Sequence, residues 1–201
     1  MEANNYNCRF ARERLKLIVV MGFQDSGKTT CLKGRSTPLP QLNGLCKRLS
    51  GGTDAPIGGN EHCREAICSI NGKTVSVYFG LDGDSEDIVY QNIENIGNKS
   101  PNPYDVAIIT LQRRAVDASL SVGTVWQKWI DKSIHKYLRR YQSFPAHERY
   151  YVHTVIPQVC DASNNYTGEI GTNVVIPPNW MWDALTTCLQ DHIVALLSII
   201  V

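Results

Sequence analysis

The stretch from Leu15 to Thr29 constrains the fold more tightly than any other part of the chain. Leu15 to Met21 is a seven-residue run, apolar but for Lys16 and rich in Val and Ile, which predicts a short, fully buried strand closed by a glycine turn. Gly22, Phe23, Gln24, Asp25, Ser26, Gly27, Lys28 and Thr29 follow at once, and they fit G-x-x-x-x-G-K-[ST] without a mismatch. Average residue frequencies produce that match about once in a hundred chains of this length. A helix is expected to open between Lys28 and Thr30, and Gly34, Pro38 and Pro40 stop it early.

Each position in that loop has a physical task. Glycines let the backbone curl so that successive N–H groups of the segment Gln24, Asp25, Ser26 and Gly27 point inward on a phosphate. The start of the following helix adds its positive end. Lys28 is the point charge that reaches the outer phosphates, and it heads the candidate catalytic residues. Thr29 offers a hydroxyl to Mg²⁺, which takes oxygen ligands, and Thr30 completes the expected nucleotide contacts.

Further along, Gln41 to Leu49 allows a short helix, and the glycines between Gly51 and Asn60 read as a hinged loop. Arg64 to Ile70 and Thr74 to Phe79 flank Asn71-Gly72, a strong hairpin signal. The second hairpin strand leads into Gly80-Leu81-Asp82-Gly83-Asp84, and Ser85 caps a helix running to about Ile96. Val106 to Leu111 and Tyr150 to Ile156 are further strands, with a helix from about Thr124 between them and a loop over Asp161 to Thr172. Pro177-Pro178 precedes a last helix, roughly Trp180 to Ile199. Strands alternating with helices predict one α/β domain over residues 1–201: a mostly parallel sheet covered on both faces, with one antiparallel hairpin strand.

The loop motif and its strand–loop–helix context resemble the P-loop NTPase superfamily. The resemblance implies a nucleoside triphosphate with Mg²⁺ at the carboxyl ends of the strands. The layout is loosely similar to Ras-like GTPases, in which a hairpin strand ends in D-x-x-G. Here Gly80 stands in the aspartate's place, Gly83 matches the glycine that meets the γ-phosphate, and Asp82 or Asp84 supplies the carboxylate for catalysis, Asp82 also as metal ligand. The alternative is a plain turn with a helix cap. The N-K-x-D motif for guanine is missing, which makes ATP the better expectation and GTP the second. Arg113 and Arg114 follow the Val106 strand, where ligands sit in such sheets, and are candidate contacts to phosphate or base. They also read as two solvated arginines.

Twenty basic and nineteen acidic residues leave a net charge of +1, so no global field draws the chain to nucleic acid or membrane. Lys128, Lys132, Lys136 and Arg140 form a basic ridge on the Trp126 helix, either a nucleic-acid contact or the wet face of an amphipathic helix. Neither the Leu15 run nor the Ile193 to Val201 run has the length of a membrane span. Seven scattered cysteines suit reduced thiols in a cytoplasm, while His62, Cys63, Cys68 and Cys46 raise a weaker zinc alternative. The leading functional expectation is a switch-like NTPase with an unidentified protein partner. A nucleoside or small-molecule kinase and a catalytically silent nucleotide-binding module are the alternatives.

Overall fold

A computed structural model describes residues 15–22, 27–35, 42–99, 102, 104–112, 150–159, 172–176 and 182–201. In chain order these residues form β1 (Leu15–Gly22), α1 (Lys28–Lys33), β2 (Gly34–Arg35), β3 (Leu42–Asn43), α2 (Leu45–Ser50), β4 (Ala55–Ile57) and β5 (Asn60–Ile70). There follow β6 (Lys73–Gly80), α3 (Glu86–Asn98), β7 (Val106–Gln112), β8 (Tyr150–Val159), β9 (Thr172–Ile176) and α4 (Trp182–Ile200).

The fold is α/β with a mixed sheet ordered β4-β5-β6-β7-β1-β8-β9. The five strands from β6 to β9 in that order run parallel. β5 is antiparallel to both of its neighbours. β2 and β3 make a separate two-residue antiparallel pair.

β1 is buried along its whole length, as a strand packed on both faces must be. Its alternating side chains divide the core. Leu17, Val19 and Met21 join Ala107, Ile109 and Leu111 of β7 under Val89, Ile93 and Ile96 of α3. Ile18 and Val20 join Val106 and Ile108 on the opposite face, beneath Cys31 and Leu32 of α1, Leu45 of α2, and Leu189, Ile193 and Leu197 of α4.

The local signals explain the connections. Asn71 and Gly72 both take positive φ, 52° and 73°, as the tight hairpin turn between β5 and β6 requires. Ser85 Oγ accepts from the Ile88 N–H at 3.3 Å and caps α3.

Three expectations need correction. The Gly51 to Asn60 segment is more than a hinged loop, because β4 lies within it and pairs with β5. Ala55-Pro56-Ile57 is too short to show a period, and its proline suits an edge position. The helix expected over Gln41 to Leu49 is confined to Leu45–Ser50, behind the two residues of β3. β9 begins at Thr172, which the sequence reading leaves in a loop. The Trp126 helix with its basic ridge lies outside the described residues. No described helix is long and apolar enough to cross a membrane.

Candidate functional site

The candidate site is built from the carboxyl ends of β1, β7 and β6. Gly22 ends β1 opposite Gln112, the last residue of β7. Of the loop itself, Gln24, Asp25 and Ser26 lie outside the described residues, as does Phe23. Gly27 is described and takes φ 82°, a left-handed conformation natural to glycine. Its carbonyl accepts the Cys31 N–H at 2.8 Å, which starts α1 at Lys28. Lys28 is only 4% exposed, while Thr29 and Thr30 remain half-buried.

α1 has just six residues, so tertiary contacts must hold it. Cys31 and Leu32 anchor one side in the core. Gln190 of α4, also buried, donates from Nε2 to the carbonyls of Cys31 and Asn43, both at 2.9 Å. Gly44 passes so close that a Cβ there would lie 2.3 Å from the Leu32 carbonyl oxygen.

β7 stands between β1 and β6, and the loop after β6 folds against it. The Gly83 carbonyl accepts the Gln112 N–H at 3.0 Å. A Cβ at Gly83 would lie 2.0 Å from the Thr110 carbonyl oxygen, so only glycine fits this approach. Gln112 therefore has Gly22 on one side and Gly83 on the other. Two strand spacings, about 10 Å, separate the two glycines.

Asp82 is half-buried in this loop. Its Oδ1 accepts the Asp84 N–H at 3.1 Å, and His62 Nδ1 lies 3.2 Å from its Oδ2. Asp84 is exposed. Position 80, where the resemblance calls for an aspartate, is packed instead by Asn92 of α3. A Cβ on Gly80 would meet the Asn92 amide at 2.8 Å. Thr110, fully buried on β7, directs Oγ1 toward the Gly80 carbonyl at 3.4 Å. Arg113 and Arg114 lie outside the described residues.

The structure thus brings Gly22, Gly27, Lys28, Thr29, Thr30, Asp82, Gly83 and Asp84 to one end of the sheet. Sequence reasoning took His62 only as part of a weaker zinc alternative, and it missed Asn92 and Gln190. For the last two a signal existed: each is a polar residue inside an apolar helical stripe, beside Val89, Ile93 and Ile96 or beside Leu189 and Ile193.

The cysteines do not converge. Cys63 packs under α3, whereas Cys46 and Cys68 belong to the cluster on the other face. Among the described residues no group of three or more His, Cys, Asp or Glu side chains is placed to hold a metal. The five described cysteines are free, and burial pushes the Cys68 thiol up to about 11. Comparison with protein-family models, with characterised proteins and with solved structures finds no match for this chain.

Proposed function

We propose that this chain is a P-loop protein that binds a nucleoside triphosphate with Mg²⁺ and hydrolyses it in a cytoplasmic, switch-like cycle. The observation that carries the reading is the match from Gly22 to Thr29 lying between a buried central strand and a helix that opens at Lys28. Support comes from Gly83, whose close approach to β7 sets a second loop beside the same strand ends.

In this reading the N–H groups from Gly22 to Thr30 cradle the phosphates, and Lys28 neutralises the charge developing on the γ-phosphoryl group. Thr29 and Asp82 would hold Mg²⁺, which supplies charge neutralisation when bound. For that, Asp82 must turn an oxygen away from the Asp84 N–H or from His62. Gly83 offers its N–H to the γ-phosphate, and Asp84 is the second carboxylate of the loop. ATP is preferred over GTP because the N-K-x-D motif for guanine is missing from the sequence. A catalytically silent binding module is the second reading, favoured by Asn92 filling the place of a carboxylate at position 80.

Calorimetric titration with ATP and GTP in the presence of Mg²⁺, followed by phosphate release from the same samples, tests the proposal. Wild type binds and Lys28→Ala does not. A Lys28→Ala protein that binds as tightly as wild type sinks the reading. Binding without release moves the assignment to the silent module.

A further inference from the structure

We infer that Asn92 is a positioning residue that sets the Asp82–Asp84 loop, and that it is the reason position 80 is glycine. The inference rests on the nucleotide reading for its functional consequence, but not for its geometry.

Asn92 is 2% exposed and lies in α3, on the face that packs over β6 and β7. A buried amide must find partners for both its oxygen and its nitrogen. Its Oδ1 accepts from Tyr78 Oη at 2.7 Å, and its Nδ2 donates to the Asp82 carbonyl at 3.0 Å. The same amide covers Gly80, leaving no room for a Cβ. Asp82 is thereby held through its main chain by α3, while the next residue, Gly83, is held by the Gln112 N–H of β7. Two fixed points one residue apart leave the loop little freedom. One fixed point comes from a helix and the other from the strand next to β1. Asn92 thus adds a direct hydrogen bond between α3 and the loop to the chain connection at Ser85 and the core contacts of Val89 and Ile93.

The Tyr78 hydroxyl also receives Asn95 Nδ2 at 3.4 Å, so the network reaches a second turn of α3. This provides a control. Tyr78→Phe and Asn92→Ala both lose the Tyr78–Asn92 bond and both destabilise the network. Only Asn92→Ala releases the Asp82 carbonyl.

The test measures amide hydrogen exchange by NMR without nucleotide, then Mg²⁺–ATP affinity and phosphate release per folded molecule. In Asn92→Ala the Asp84 and Gln112 amides exchange at least about tenfold faster than in Tyr78→Phe. Phosphate release falls by about tenfold or more, with affinity within about threefold of wild type, because a loop displaced by a fraction of an ångström loses orientation rather than binding. Gly80→Ala, whose methyl displaces the amide, reproduces these effects, and adding it to Asn92→Ala makes them no worse. Equal exchange in Asn92→Ala and Tyr78→Phe overturns the inference. So does faster exchange with unchanged release. If wild type does not hydrolyse nucleotide, whether or not it binds it, the release comparison falls away with the hydrolysis reading, and the exchange comparison alone decides whether Asn92 sets the loop.

Discussion

Among the residues around the candidate site, Gly44 and Gly83 are the least replaceable, because what lies against them is backbone. A methyl at Gly44 would sit 2.3 Å from the Leu32 oxygen and 2.5 Å from the Gly34 nitrogen, neither of which moves without shifting the end of α1. Gly44→Ala therefore costs about 1–3 kcal/mol, the usual range for overpacking, read as a lowered urea midpoint with unchanged slope. Gly51 provides the contrast. It has φ 65° and open space around its Cβ position, so Gly51→Ala carries only the left-handed backbone penalty of about 1–2 kcal/mol. A destabilisation by Gly51→Ala clearly exceeding that of Gly44→Ala would contradict this ranking.

Elements in this fold are short and depend on side chains from elsewhere. α1 leans on Gln190, whose amide satisfies two main-chain carbonyls at once. Gln190→Leu keeps the volume but strands those acceptors, at a cost of about 1–3 kcal/mol, measured by chemical denaturation. The corner between α2 and β5 depends on Asp54, which accepts from Arg64 Nη1 at 2.6 Å and Ser50 Oγ at 2.9 Å. Burial pushes its carboxyl up, but the bonds from Arg64, Ser50 and Cys46 together outweigh this and hold it below the ordinary carboxylate value. A depressed folded value means stability present above the unfolded value of about 3.9 and lost as pH falls through the folded one. Asp54→Asn removes that dependence. Its unfolding midpoint changes less than wild type's between about pH 6 and pH 3, and equal acid sensitivity in the two proteins would refute the assignment.

For the molecule as a whole, the sheet ties the candidate site to both halves of the core. β1 contributes alternate side chains to the α3 cluster and to the cluster under α1, α2 and α4. A ligand at the end of β1 is thus anchored to the most buried strand and should stabilise the fold as a unit. On the proposed function, Mg²⁺–ATP at about a hundred times its dissociation constant adds about 2.7 kcal/mol to stability. The thermal midpoint of wild type rises, and that of Lys28→Ala stays where it was. A rise in both variants would place binding elsewhere than at Lys28.

The local parts of this molecule were legible in the sequence because short-range physics specifies them. The apolar run of β1, the early stop of α1 at Gly34, the Asn71-Gly72 turn and the Ser85 cap each depend on residues only a few positions apart. Ala55 to Ile57 pairs with the strand that begins only three residues on, at Asn60, but three residues around a proline are too few to show a period, and Thr172 to Ile176 is a strand through its parallel pairing with β8. The candidate site divides the same way. Gly22, Gly27, Lys28 and Thr29 announce themselves by spacing, whereas Asn92 lies ten residues from the Asp82 carbonyl it holds and Gln190 lies 159 from Cys31. Only the tertiary structure decided that β7 stands between β1 and β6, and that an amide rather than a carboxylate fills the space at Gly80. The physical reason is that turns and caps are settled by the backbone's own hydrogen bonds, while strand order and the filling of buried space are settled by which distant surfaces pack together.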